Sequence, residues 1–241
     1  ATGGGHGALC GVAGEYGAVR HRAEQFELPM RPVAPFVVEP IEGYVTYPLL
    51  LNVHYARRIP SISYAFGLYV NGNLDGVITY GTPSSATLRD GIAGAAMSDR
   101  VLELNRLCLV HNRRNEASRL IAASLGALPR PSIVVSFADK AQGHAGVIYQ
   151  AANFLYCGLS AKRTDWKVEG QEHLHGQTIA DQFRGVANRA QAMRDHYGDA
   201  FYLEPRSRKH RYVMLLGGKR ERREMLAALR YPVQPYPKGD I

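Results

Sequence analysis

The residues best equipped for chemistry lie in the middle of the chain. Asp139 ends SIVVSFAD, a short β-branched run that reads as a buried strand. A carboxylate at the carboxyl end of such a strand faces the crevice where open sheets meet their ligands. The same side chain also suits an N-cap for the turn Lys140–Gly143. Glu103, in VLELNRLCLV, supplies a second carboxylate, directed either into an acceptor cleft or to an ion pair with Arg100 or Arg106. Ser124 lies inside a helical pattern, where a hydroxyl normally bonds back to a carbonyl of the preceding turn and otherwise orients a donor or a base. His54 and Tyr55, with Tyr47 nearby, gather imidazole and phenol groups suited to stacking an extruded base or binding a metal. A set of two or three ligands at useful spacing is not evident, so no metal ligand is assigned and a metal requirement stays open. His173 and His175 alternate in a polar stretch and read as surface.

Charge points to a second kind of site. The chain carries 29 Lys+Arg against 21 Asp+Glu, and residues 161–241 hold 16 of the basic and 10 of the acidic groups. Arg206, Arg208, Lys209, Arg211, Lys219, Arg220, Arg222 and Arg223 fall within eighteen residues that contain one Glu. That density favours a polyanion through counterion release, and the apolar run RYVMLL between the clusters holds the charges on a folded surface. The alternative is a solvated basic face.

These groups must be positioned by one ordinary globular domain, since 241 residues at 46% hydrophobic suffice for a buried core. No apolar run approaches the roughly 18 residues of a bilayer span, so a soluble protein without a membrane partner is expected. No charged segment followed by an apolar block begins the chain, which argues against export. Cys10, Cys108 and Cys157 are widely spaced and odd in number, which suits a reducing compartment rather than a disulfide framework. The first forty residues, rich in Gly and then Pro, read as an arm preceding a single domain at 41–241, whose portion from about 161 is basic. Within the domain the pattern predicts an irregular or helical segment at 44–58. A hairpin through Asn71-Gly72-Asn73 follows, then a Ser/Gly/Ala-rich loop at 81–98. Next come a strand at VLELNRLCLV, a helix at NEASRLIAASLGAL capped by Asn115, the strand SIVVSFAD and a helix at GHAGVIYQAANF with Val147, Ile148, Ala151 and Ala152 toward the core. The strand FLYCGLS, a helix around QTIADQFRGVANRAQAMRDHYG, the strand YVMLLG and a basic terminal helix complete it.

Strand, helix, strand, helix, strand over 101–160 resembles the core of the GNAT acyltransferase superfamily. The run IYQAANFLYCG looks like that superfamily's fourth-helix signature, with Tyr149 at the tyrosine position and Asn153 and Phe154 at the turn, Asn standing where Gly is commoner. A closer resemblance joins three separated blocks in order: ELNRLCLVHNRRNEASRLI, SFADKAQGHAGVIYQAANFLYCG and RKHRYVMLLGGKRERREMLAALRYPVQPYPK. Together they are similar to the bacteriophage Mom family of DNA-adenine modification enzymes, over roughly residues 44–241. The fold implied is α+β, a GNAT-like, mixed and mostly antiparallel central sheet flanked by helices.

The activity implied is attachment of a carbamoylmethyl (acetamido) group to the exocyclic amine of adenine, shielding phage DNA from restriction in the host bacterial cytoplasm. The resemblance gives Asp139 the role of proton acceptor and Tyr149 that of general acid; Ser124 and Glu103 join the candidate catalytic set on residue type and position alone. Its donor turn is VHNRRNEAS, which lacks glycine, so Arg113 and Arg114, with Asn115, would hold donor phosphate by charge. The donor expected is acetyl-CoA or an activated glycine such as glycyl-tRNA, and the partners are double-stranded DNA and, for the second donor, tRNA. Two other readings keep the scaffold: a non-catalytic nucleic-acid-binding antirestriction protein, and a conventional N-acetyltransferase.

Overall fold

The computed structural model describes residues 36–174 and 176–237; His175 and almost all of the Gly/Pro-rich arm, Cys10 included, lie outside them. Nine strands and seven α-helices follow in the order β1 (Phe36–Pro40), α1 (Tyr47–Asn52), β2 (Tyr64–Val70), β3 (Asn73–Gly81), α2 (Ala86–Ala93), β4 (Val101–Leu109), α3 (Glu116–Ala127), β5 (Ser132–Asp139), α4 (Val147–Ala151), β6 (Leu155–Leu159), β7 (Arg163–Val168), α5 (Gly176–Asp181), α6 (Arg189–Tyr197), β8 (Phe201–Arg206), β9 (Lys209–Leu216) and α7 (Lys219–Ala228). The main sheet runs β1-β2-β3-β4-β5-β9-β6. Every pairing in it is antiparallel except β4 with β5. The fold is therefore α+β with a mixed, mostly antiparallel sheet, as expected.

Alternation along the strands assigns a core to each face. Leu120, Ile121 and Leu125 of α3 and Tyr149 of α4 pack with Phe66, Ile78, Tyr80, Leu104, Val134 and Tyr212 on one face. Ile92 of α2 and Met225 of α7 pack with Val101, Ile133, Val135 and Val213 on the other. A third cluster, Val168, Ile179, Met193 and Phe201, lies under the β7–β8 ribbon and its helices α5 and α6.

The hairpin turn is as read, with Asn71 and Gly72 at φ 51° and 81°, the left-handed pair that a two-residue turn demands. Several expectations need correction. β1 pairs with β2, so residues 36–40 belong to the sheet rather than to the arm. The loop at 81–98 contains α2, started by Ser85, whose hydroxyl accepts the Leu88 N–H. The single helix expected from Gln177 onward is two, α5 and α6, with Gly185 at φ 92° between them. α4 is short, and it buries Tyr149 while Val147 is 66% exposed and Ala151 is also exposed. Strands β7 and β8 were not expected, because RTDWKV and FYLEPR carry as much charge as a loop.

Candidate functional site

The feature that opens the sheet is a change of partner. β4 and β5 pair only from Val101 to Leu104 against Ile133 to Ser136; beyond that, β5 continues along β9 as far as Asp139 opposite Lys209. Asn105 is an extra residue in β4, since Tyr80 pairs with Leu104 and Thr79 with Arg106. Such a bulge bends its strand and re-aims its side chains. Asn105 is anchored from both ends, accepting from Thr79 Oγ1 at 2.6 Å and donating to Ser61 O at 2.7 Å. The strands thus part, and a cavity of about 330 Å³ fills the gap, in the range of small-ligand pockets. Its walls are Leu104–Leu107, Phe137–Asp139, the loop Gly143–Gly146, the start of α4 through Tyr149, and His54 with Tyr55.

Tyr149 is 8% exposed, tilted against Phe154 and Tyr212 at 5.4 and 5.3 Å. Burial raises its pKa above the ordinary tyrosine value despite a hydrogen bond with Ser136, so the phenol keeps its proton. Ser136 in turn donates to Leu104 O at 3.0 Å, tying β5 to β4 at the last paired residue. The loop ahead of α4 is held by Tyr212, whose hydroxyl donates to Ala145 O and accepts from Gln150 Nε2 at 3.0 Å. Gly146, at φ 79°, lies so close to the Tyr212 ring that a Cβ would stand 2.3 Å from it. Asn153 reaches φ 60°, so the residue that replaces glycine at that turn performs its conformational task.

Asp139 stands at the cavity and also caps the turn that follows it. It lines the cavity, and its Oδ1 caps the Ala141 N–H at 3.0 Å while Oδ2 meets Lys209 Nζ at 3.4 Å. Desolvation favours its neutral form, but the Ala141 N–H, the Ser207 hydroxyl and the Lys209 ammonium outweigh that and hold its pKa below the usual carboxylate range. Asp139 is therefore ionised and weakly basic. His54 is 8% exposed and stacks on Tyr55 at 4.5 Å, its Nδ1 accepting the Ala56 N–H at 3.0 Å. Burial, assisted by Arg106, lowers its pKa to about 4, so the imidazole is neutral and carries its proton on Nε2.

Other expected residues lie elsewhere. Ser124 is fully buried, bonded to Tyr80 Oη at 2.7 Å and to Ile121 O at 3.0 Å, and does not line this cavity. Tyr47 is exposed on α1 and is not part of the cavity lining. Glu103 projects to the opposite face of β4, where it lines a separate cleft of about 280 Å³ with Lys209 and Arg211. Burial raises its pKa, opposed by the Ser84 N–H, Arg106 and Lys209. Arg206 and Arg163 line that cleft as well, whereas Lys219, Arg220, Arg222 and Arg223 stand exposed on α7, Arg220 facing Glu224 at 3.6 Å. Arg208 shares a groove with Arg163 and Arg206, its Nε donating to Ser160 O at 2.7 Å.

The glycine-free turn before α3 bends through Asn112 and Asn115, at φ 47° and 68°. Asn115 does not cap the helix with its side chain; the buried Glu116 carboxylate does comparable work by accepting the Arg113 N–H. Arg113 Nη1 meets Glu116 at 2.8 Å and Asp75 at 2.9 Å, and His111 also bonds Asp75. Two carboxylates thus occupy the Arg113 N–H and the guanidinium that a donor pyrophosphate would use, and the turn fits that group poorly. Arg114 remains exposed, without an ion pair among the described residues.

Sequence reasoning missed Lys209 as the partner of Asp139, His144 on the cavity wall, and Tyr212 as the clamp of the loop. The aromatic at 212 carried a signal only as part of an apolar strand. Among the described residues no cluster of three His, Cys, Asp or Glu side chains could hold a metal, and no helix is long and apolar enough to cross a membrane.

A family model described as the Mom protein family matches residues 35–238. The chain is 31% identical over 207 residues to the methylcarbamoylase mom of Escherichia phage Mu, covering 83% of each. Among solved structures it is similar to a GNAT-family acetyltransferase from Bacillus cereus, at 9% identity over 76% of this chain and 98% of that one, TM-score 0.40. A GNAT-family acetyltransferase from Elizabethkingia anophelis with acetyl-CoA bound gives 12% identity over 75% and 98%, also with TM-score 0.40.

Proposed function

The chain belongs to the Mom protein family, and on that premise we propose that it modifies the exocyclic amine of adenine in phage DNA, leaving a carbamoylmethyl group that host restriction enzymes do not accept. One observation carries the reading. Asp139 from β5 and Tyr149 from α4, ten residues apart in sequence, line one cavity at the point where β4 and β5 separate, with Tyr55 on its wall. An extruded adenine stacks on Tyr55, and stacking with phosphate contacts offsets the few kcal/mol that extrusion costs.

The adenine amine is a poor nucleophile because its lone pair is delocalised into the ring. Positioning and timed proton transfer are therefore the demands on the protein. Asp139, ionised and weakly basic, accepts a hydrogen bond from the amine and takes its proton once the new bond to carbon has made the nitrogen acidic. Tyr149, kept protonated by burial, gives its proton to the departing group of the donor. Neutral His54 contributes an Nε2–H donor. Glu103 stands on the other face of the parting strands and Ser124 supports the core through Tyr80, so neither touches this cavity. The exposed cations of α7 contact flanking duplex.

The transferred group is acyl or aminoacyl. Plain acetyl transfer from acetyl-CoA yields neither a methylene link to nitrogen nor a terminal carboxamide, whereas a glycyl group accounts for both. Glycyl transfer to the amine is followed by attack of the free glycyl amine on ring carbon 6, and the amide nitrogen leaves that carbon. The glycine nitrogen becomes the exocyclic nitrogen, and the original adenine nitrogen becomes the carboxamide. The paired charges at Arg113 favour a donor other than one held there by pyrophosphate, such as glycyl-tRNA.

The test is mass spectrometry of nucleosides from plasmid DNA after expression of this chain in bacteria, beside Asp139→Ala and Tyr149→Phe. The parent is expected to yield a heavier deoxyadenosine, reduced at least about a hundredfold in each variant. Unmodified DNA from soluble parent protein would remove the proposal. Nitrogen-labelled glycine should place its label on the exocyclic nitrogen, and unlabelled product rejects the glycyl route.

A further inference from the structure

Arg211 is 5% exposed, and no other Lys or Arg among the described residues is as deeply buried. Its Nη1 donates to Cys157 O at 3.2 Å, its guanidinium lies 3.5 Å from the centre of the Tyr231 ring, and its Nε has no hydrogen-bond partner. No carboxylate pairs with it among the described residues; the groups that bear on its charge are Tyr231, Cys157 and Tyr156. A buried cation without a counter-charge is costly, and proteins normally pair it or coordinate it.

Arg211 opens into the cleft that Glu103 lines, on the sheet face opposite the cavity, and the two spaces share Phe137. The cleft is also bounded by Ser84, Ser85 and Thr87 at the start of α2, an eight-residue helix with no acidic residue in its first turn. The Glu103 carboxylate accepts the Ser84 N–H at that end, so the helix terminus is already answered within the protein, and the charge left uncompensated in the cleft is that of Arg211. A neighbouring groove is lined by Lys162, Arg163, Arg206 and Arg208 with no acidic residue, and it shares Arg163 and Arg206 with the cleft. Of the cations along this path, Lys209 meets Asp139 and Arg206 meets Asp165 at 3.8 Å; Lys162, Arg163, Arg208 and Arg211 have no ion-pair partner among the described residues.

We propose that this cleft binds a phosphodiester of the DNA strand that carries the target base, with Arg211 as its receptor and Lys162, Arg163 and Arg208 along the strand's approach. The inference rests on the reading of the cavity as an adenine site and adds the place where the backbone of the same strand is gripped. At about 280 Å³ the cleft admits one sugar–phosphate unit of a single strand and not a duplex. The Lys209–Asp139 pair stands between receptor and cavity, so a phosphate bound at Arg211 sets the register of the nucleotide beside it.

The experiment is fluorescence anisotropy with an eight-nucleotide oligothymidylate, which carries backbone and no target base, between 50 and 200 mM salt. Arg211→Met is expected to weaken binding about tenfold and to reduce the log–log salt slope by about 0.7, the contribution of one phosphate contact on a single strand. Arg211→Lys keeps the charge and should recover most of the affinity. Arg163→Ala, at an exposed position where folding is not at stake, should weaken binding about threefold. Unchanged affinity in both Arg211→Met and Arg163→Ala overturns the proposal. So does displacement of the oligonucleotide by coenzyme A that Arg211→Met abolishes, which assigns the phosphate to a donor, or equal competition by millimolar inorganic phosphate. Arg211-dependent binding by a protein that leaves plasmid adenine unmodified would retain the cleft and remove the adenine reading; modification with Arg211-independent binding would do the reverse.

Discussion

Arg113 and Arg211 put the same guanidinium to opposite uses. Arg113 has a side chain 43% exposed, yet it is held by Asp75 and Glu116, so its charge is spent inside the protein. Arg211 is 5% exposed and has no carboxylate partner among the described residues. Exposure would have nominated the first as the ligand contact, and pairing nominates the second. A cation can receive an anionic ligand only with charge that the fold has left uncompensated, and the cost of leaving it so is borne by the folded state.

Breaking the Arg113 brace should cost stability. Glu116→Ala removes the acceptor of the Arg113 N–H and the partner of its guanidinium. The expected loss is about 2 kcal/mol in denaturant unfolding, the upper end for a helix cap, with little added for the ion pair because Arg113 is partly solvated. A loss below about 0.5 kcal/mol would mean that the loop does not depend on the pair.

His54 offers a third way to handle a polar group, which is to keep it neutral. Its folded pKa, about 4, lies below the ordinary 6.5. The unfolded chain therefore takes up the proton first, and stability falls as pH drops from about 6.5 toward 4. His54→Gln should flatten that fall in melting temperature across the window, and an unaltered pH profile would count against a buried neutral imidazole.

The smallest effect separates the two arginines most directly. Arg113→Ala should leave oligothymidylate affinity within about twofold and its salt slope unchanged, since a charge already paired releases no counterion. A slope reduced as much as in Arg211→Met would erase the distinction.

Legibility followed the range of the interactions involved. The Asn71-Gly72 hairpin, the strands around Glu103 and Asp139 and the helix after Asn115 could be read because each depends on periodicity or turn chemistry within a few residues. The bend of the glycine-free turn before α3 left no mark in the sequence, since Asn112 and Asn115 adopt the left-handed conformation that asparagine tolerates better than most side chains. Ser124 was drawn toward the site by its type, while its hydroxyl answers Tyr80, forty-four residues away. β7 and β8 were hidden by their charged outer faces, and only their pairing with each other makes them strands.

By itself the sequence determined the hairpin at Asn71-Gly72, the strands at Glu103 and Asp139, the helix after Asn115, the excess of basic groups after residue 161 and the Asp139–Tyr149 segment that carries the family resemblance and, through it, the α+β class, because these are properties of residue type and near-neighbour spacing. The tertiary structure alone decided that β9 returns between β5 and β6, that β4 and β5 part at Leu104 to open a cavity, and which cations keep their charge free. Those outcomes depend on which distant segments meet, and a carboxylate thirty-eight residues away, as Asp75 is from Arg113, leaves no mark on the local pattern.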